Sequence, residues 1–308
     1  MADEVDYPLN APLGAYLELA ERYYREDRLD LAMRVVTDAF EARGWAPGLW
    51  TAFYNELRCE AEARDASLLR RVDEKLSIEL DRRALPALYR GLRSAAVGAR
   101  ETVAGLLRVE FAGPVMITVF VPDAPVDFIV GSYGYVSHKI GLDKICVPWH
   151  TIEAPAEARD TLVHEFTHVA THELAGDAVP RWLNEGLATF VSRDLSLRHA
   201  RFVVEAEAKR GRMLSAGHLE AALNSADMRK DDPASVQAAY YLAASLVGWW
   251  EQQRGLESVR DALVRIGQGV DPGSAVRQAA GMSISRMERE WRQSLTARRH
   301  EEGKDGVG

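Results

Sequence analysis

The stretch Thr161 to Glu185, TLVHEFTHVATHELAGDAVPRWLNE, decides how this chain is read. It holds His164-Glu165-Phe166-Thr167-His168, and Glu185 follows His168 by seventeen residues. In an α-helix, positions i and i+4 share a face. His164 and His168 can therefore offer two imidazole nitrogens to one ion. Glu165 lies beside that face, placed to reach a water rather than the ion. This is the H-E-x-x-H logic of metal-assisted hydrolysis: two nitrogens hold zinc and the carboxylate handles the proton of a water. A catalytic zinc takes a third protein ligand and keeps one position open.

Glu185 can supply that ligand by chain geometry. A first helix is expected from about Ala156 to Ala175, then a turn at Gly176-Asp177, then a second helix opened by Pro180. At the helical rise, His168 lies about 10 Å before the first helix ends and Glu185 roughly 8 Å into the second. If the two helices fold back antiparallel, Glu185 comes level with the histidine pair.

HEFTH together with WLNEGLA resembles the gluzincin metallopeptidases, which include thermolysin-like enzymes and alanyl-type aminopeptidases. WLNEGLA is similar in particular to the N-E-G helix of the aminopeptidase branch and of small bacterial peptidase MA-like domains. The resemblance covers roughly Ala84 to Ala297, and the two motifs are its sharp part. It implies that His164, His168 and Glu185 are zinc ligands and Glu165 the general base. It also implies a downstream tyrosine that donates to the oxyanion, about fifteen residues before a helix-ending glycine. In YYLAASLVGWWEQQRG, counting back from Gly255 gives Tyr240, with Tyr241 the neighbouring alternative and a purely structural tyrosine the third reading. The G-x-M-E-N-type segment that holds a free amino terminus in alanyl-type aminopeptidases is absent. That departure counts against exopeptidase action and leaves endopeptidase or oligopeptidase action open.

Composition sets the outer bounds. The chain has 308 residues, 47% hydrophobic and 27% charged, enough apolar material for a large core and comfortable for two domains. A net charge of −8 argues against nonspecific nucleic-acid binding, and no run of Lys and Arg suggests a membrane surface. The opening MADEVDYPLN lacks a basic and then apolar leader, no apolar run is long enough to span a membrane, and Cys59 and Cys146 are the only cysteines. A cytoplasmic protein acting on peptide or protein is expected. Cys146 sits in an apolar run and reads as a buried structural thiol.

Around the motifs the pattern is mainly helical. Pro12 to about Gly44 reads as a helical hairpin, with Tyr16, Leu19, Ala20, Tyr23, Ala32, Val36, Ala39 and Gly44 near the positions of a tetratricopeptide repeat. It is either one such repeat or a generic hairpin, and in either case a candidate site for a protein partner. Thr51 to Asp81 reads as further helix, with Leu68, Val72, Leu76 and Leu80 on one face. Pro86 opens a helix to about Val109, and Val115 to Val121 is a buried strand. Phe128 to Ile140 reads as loop or irregular hairpin, and Lys144 to Val147 as a second strand stopped by Pro148. By the resemblance, Lys144 to Pro148 matches an edge strand that pairs with extended substrate; the other reading is an ordinary sheet strand. Further helices are expected at about 234–254, 256–267 and 284–297.

Other histidines carry weaker expectations. His172 shares the face of His168, yet three ligands in line along one helix cannot converge on one tetrahedral ion. A cleft-wall or solvent-facing role suits it better. His138 and His150 read as surface histidines. Asn184 is expected either to touch substrate or to cap a backbone group.

The expectation is an α+β fold, predominantly α-helical. It has a thermolysin-like zincin core with a small sheet beside the HExxH helix, and an N-terminal helical, tetratricopeptide-like or generic, region. The expected divisions are a helical region over 1–81, a gluzincin-like metallopeptidase domain over 82–298 and an unstructured tail over 299–308. The expected function is zinc-dependent peptide-bond hydrolysis. The alternative is a non-catalytic protein-binding module with a retained zinc site.

Overall fold

The computed structural model describes residues 12–43, 49–124, 134–192, 197–211, 213–225 and 233–305. The fold is α+β and predominantly helical, with one small mixed sheet. The chain forms two compact units: Met1–Ser94 with Gly113–Ala158, and Ala95–Ala112 with Arg159–Gly308. The units are therefore not divided at Asp81, where the sequence placed a boundary.

In the first unit, α1 (Leu13–Arg25) and α2 (Leu29–Arg43) form the expected hairpin. Tyr16, Ala20 and Tyr24 make a buried i, i+4 stripe against Leu29, Ala32, Val35, Val36 and Ala39. Ala20 and Ala32 are wholly buried, and their small side chains let the helices approach closely. Gly44 lies outside the described residues. Asp27 turns the chain at φ 56°, and its carboxylate is held by Arg64 at 2.5 Å and Lys144 at 3.3 Å.

The helical reading of Thr51 to Asp81 is corrected beyond Ala66. There α3 (Leu49–Ala66) gives way to a hairpin, β1 (Ser67–Arg71) and β2 (Leu76–Asp81). Asp73 closes its turn by accepting from the backbone N–H of Lys75 and Leu76 at 2.9 Å each. Leu76, Ile78 and Leu80 are buried at every second position, the strand period. Next, α4 (Pro86–Leu107) crosses to β3 (Val115–Val119), which is buried along its whole length. A tight turn at Gly141 (φ 75°) joins β4 (Tyr135–Lys139) to β5 (Leu142–Val147). The part of the Phe128 to Ile140 reading before Gly134 lies outside the described residues.

The sheet order is β1-β2-β3-β5-β4, parallel across β2, β3 and β5 and antiparallel at both ends. This corrects the edge-strand reading of Lys144 to Pro148. β5 is paired on both sides, with β3 and β4, so its backbone groups are already used. The strand at that edge is β4. A short helix, α5 (Trp149–Glu153), follows Pro148.

Charges are buried in this unit. The Lys144 ammonium lies 2.8 Å from Glu60 Oε2 and that of Lys139 lies 3.7 Å from it, with all three side chains fully covered. Tyr135 donates to Glu60 Oε1 at 3.1 Å. The Tyr24 hydroxyl contacts Oε1 of both Glu56 and Glu60. A phenol has one hydrogen to give, so two carboxylates on one phenol oxygen require a further proton. Glu56 is the group that takes it: burial first, and then the charge of Glu60, push it from the ordinary 4.5 up to about 7. Burial also works to raise Glu60, but Lys139 and Lys144 outweigh it and hold Glu60 below its ordinary value.

The second unit is helical. It contains most of α6 (Pro155–Ala175), a single 3₁₀ turn (Gly176–Ala178), α7 (Arg181–Ser192), α8 (Leu197–Lys209), α9 (Ala216–Ser225), α10 (Pro233–Arg254), α11 (Leu256–Gly267), α12 (Pro272–Ala280) and α13 (Ile284–Asp305). α13 thus runs through much of the segment read as an unstructured tail, and residues 306–308 lie outside the described ones. α10 packs against α7, α8, α9 and α11. Trp250 donates to Ser258 at 2.9 Å and Trp291 to Ser245 at 3.0 Å, so two buried indoles each satisfy their N–H. Gly267 ends α11 against the end of α6, where a Cβ would come within 2.2 Å of the Leu174 carbonyl oxygen.

The buried carboxyl pair makes stability depend on pH with a definite sign. Because the folded state holds the Glu56 proton more tightly than the unfolded chain, its contribution is complete below about pH 4.5 and is lost as pH rises through about 7. Lys139, lowered to about 8 by burial, acts between that value and 10.5, outside this window. Denaturant melts of Glu56→Gln from pH 4 to pH 8, compared with the unaltered protein, are expected to show a flatter profile (roughly the 4.5-to-7 limb removed) and higher stability at the alkaline end.

Candidate metal centre

α6 is buried on all sides from Thr161 to Val163 and on through Glu165, Phe166 and Thr167, as befits a central helix. Its hydroxyls are satisfied locally: Thr167 donates to the Val163 carbonyl at 2.8 Å. Phe166 meets the Phe111 ring edge-on at 5.8 Å. The helix ends at Ala175, as the glycine predicted, with Gly176 at φ 62°. The Pro180 carbonyl accepts from Leu183 and Asn184 to start α7, and Glu220 on α9 accepts the Trp182 N–H at 3.0 Å.

This path brings the distant carboxylate onto the two imidazoles. Glu185 Oε2 lies 3.6 Å from His164 Nε2 and 3.4 Å from His168 Nε2. One donor atom from each of the three residues falls within 4.8 Å of the others, and all three residues are buried. Both N···O separations exceed the usual 2.7–3.2 Å of a hydrogen bond. They match the edge of a tetrahedron: ligands about 2.1 Å from a central ion stand about 3.4 Å apart. Two imidazoles and one carboxylate are also the chemistry a zinc ion takes. The residues therefore fit such an ion.

Electrostatics point the same way. Burial opposes charge on His168, but the adjacent Glu185 carboxylate overrides it and lifts the imidazole to about 9. Burial also works to raise Glu185, yet His168 and His164 hold it far below the ordinary carboxylate range. Loading a cation thus means displacing a proton that stands in its place. Glu165 is buried one residue from His164, near enough to bear on both His168 and Tyr240.

Tyr240 is drawn in by helix packing. On Gly186, the residue after Glu185, a Cβ would sit 2.8 Å from the Ala243 carbonyl oxygen and 3.1 Å from Val247. Only glycine lets α7 and α10 come this close. Ala243 is one turn along α10 from Tyr240, so the contact aligns that phenol with Glu185. Burial, ahead of the Glu185 charge, holds the Tyr240 hydroxyl well above the ordinary phenol range, while Arg181 acts to lower it through charge and a hydrogen bond. Tyr241, the neighbouring alternative, is buried as well.

Three further positions have defined partners. The amide oxygen of Asn184 accepts from His168 Nδ1 at 3.0 Å and from the Thr171 hydroxyl at 2.6 Å, so Asn184 orients the His168 ring. His172 turns to Asp177 at 3.5 Å. His138, part of the first unit, pairs with Asp143 across the β4–β5 ladder at 2.6 Å. Arg181 was not singled out from sequence, and nothing in its local pattern distinguishes it from an exposed helix-start arginine.

Fold and donor set together define a metallopeptidase-like domain. The sequence profile of the peptidase MA superfamily matches residues 140–297, and the chain belongs to that superfamily. No curated protein matches it. Among the described residues no helix is long and apolar enough to cross a membrane.

Two substitutions probe the geometry. Asn184→Ala frees the His168 ring and is expected to weaken zinc binding about 10- to 100-fold in a competition titration with a coloured chelator, while the fold is retained. Gly186→Ala forces α7 from α10 and is expected to cost about 1–3 kcal/mol in denaturant melts.

Proposed function

We propose that the protein is a zinc-dependent peptide-bond hydrolase of the gluzincin type. The observation that supports this most is Glu185 Oε2 standing at tetrahedral-edge distance from both His164 Nε2 and His168 Nε2, with Glu165 buried alongside. Superfamily members are generally zinc-dependent. A zinc ion held by these three residues supplies Lewis acidity toward a scissile carbonyl and lowers the pKa of a water.

The chain's own groups do the rest. Glu165 accepts a proton from the attacking water on a carboxylate oxygen and passes it to the leaving amine nitrogen. Tyr240 stays an O–H donor across the working pH range, because its hydroxyl is held above the ordinary phenol value. It donates to the carbonyl oxygen as negative charge develops there. Asn184 accepts from His168 Nδ1–H, which leaves Nε2 as the nitrogen that would hold the ion. A purely structural zinc site closes all four positions with protein ligands. Here the donor set among the described residues is three, which favours hydrolysis over a binding module.

The test is a mixed peptide library digested with and without a chelator and read by mass spectrometry. Zinc-loaded protein should cut and chelated protein should not. Glu165→Gln should keep stoichiometric zinc while turnover falls by about 10²–10⁴-fold. Stoichiometric zinc with no cleavage by the unaltered protein would leave the binding-module reading standing. Loss of zinc in Glu165→Gln would make Glu165 part of the donor set.

A further inference from the structure

Arg181 stands one helical turn before Glu185 on α7, on the same face, with its side chain about half exposed. Its Nη2 lies 3.6 Å from Glu185 Oε1, while Oε2 of the same carboxylate faces the two imidazoles. The two oxygens of Glu185 thus have separate neighbours. Charge and hydrogen bonding from the Arg181 side chain also act on the Tyr240 hydroxyl. A guanidinium has donors only, so the phenol oxygen is the acceptor in that bond. The phenol hydrogen is then directed elsewhere, and Glu185 and Glu165 are the other charged groups that bear on it.

We propose that Arg181 is a positioning residue that ties Glu185 Oε1 and the Tyr240 phenol into one unit, leaving Oε2 alone to meet the ion and the phenol hydrogen pointing into the site. This rests on the reading of the centre given above. It explains why one turn of α7 carries both groups. Without the guanidinium, the Glu185 carboxylate can turn both oxygens inward and take the position that substrate needs. The phenol, meanwhile, loses the partner that sets its direction. Lysine cannot replace it, because a single ammonium lacks the planar fork that reaches two acceptors.

The experiment uses the full chain loaded with cobalt(II), whose visible absorption weakens when a fourfold site gains a fifth ligand atom. Arg181→Ala and Arg181→Lys are compared with the unaltered protein, alone and in a Tyr240→Phe background. Arg181→Ala is expected to lose visible absorption and to melt at an unchanged temperature. Its kcat should fall about tenfold with KM nearly constant. In the Tyr240→Phe background the same change should cost little more, since the two residues act as one unit. Arg181→Lys should resemble the alanine variant more than the parent. An unchanged cobalt spectrum with fully additive kinetic losses would overturn the proposal. So would a rise in KM confined to peptides with a free terminal carboxylate, which would make Arg181 a substrate-binding group. If the protein cuts no peptide at all, the spectrum and the rate of metal loss still read the Glu185 half, so failure of the hydrolase reading is told apart from failure of this one.

Discussion

The second unit depends on one junction, where Oε2 of Glu185 faces two imidazole nitrogens in a buried space. An ionised carboxylate taken out of water costs several kcal/mol unless it is compensated. Two things hold it there. Helix α7 begins at a fixed point, set by the Pro180 carbonyl and by Glu220 on the first free N–H groups. Asn184 then hydrogen-bonds back to His168 and Thr171 on α6. The residue before Glu185 thus registers the two helices, and Glu185 follows.

The residue after it does a different task. Gly186 lets α10 lie almost against the α7 backbone, with the Ala243 carbonyl where a side chain would otherwise stand. N-E-G is therefore three adjacent instructions: align on α6, offer a carboxylate, admit α10. Tyr240 is placed by the third of these. A substitution at Gly186 can disturb the phenol without touching any ligand, since packed helices separate as bodies rather than atom by atom.

Much of this was legible because local rules and long-range packing agreed. His164, His168 and Glu185 were readable from helical spacing and the Gly176 and Pro180 signals, and those helix limits hold to within a residue or two. The hairpin core was readable from Tyr16, Ala20, Ala32, Val36 and Ala39. Where the reading failed, a period was ambiguous. Leucines at 68, 76 and 80 fit a spacing of four, which is near one helical turn but is also twice the strand period. Ile78 and the Asp73 turn held the deciding signal, since Leu76, Ile78 and Leu80 alternate. The edge-strand reading failed for another reason: β4 carries few apolar residues, and strand order is set by pairing partners that no local pattern records. α12 did carry its signal, Asp271 capping Ser274 ahead of Pro272, but Gly273 obscured it. Arg181 and Asn184 act through partners on α10 and α6, so only the assembled fold reveals what they do.

The chain buries charge twice, and the balance differs between the two places. In the first unit Lys139 and Lys144 face Glu60 and Glu56, and one extra proton on Glu56 lets all of them lie in the interior together. In the second unit Glu185 is buried against two imidazoles, with the half-exposed Arg181 guanidinium 3.6 Å from its other oxygen. A proton on His168, held up to about 9, is what the chain itself can add. A divalent cation balances the same group more fully and needs no donor hydrogen between the nitrogens and the carboxylate. The spacing of the donors, rather than burial of ionisable groups as such, is what separates the His164, His168 and Glu185 group from the cluster that ties two helices to a sheet.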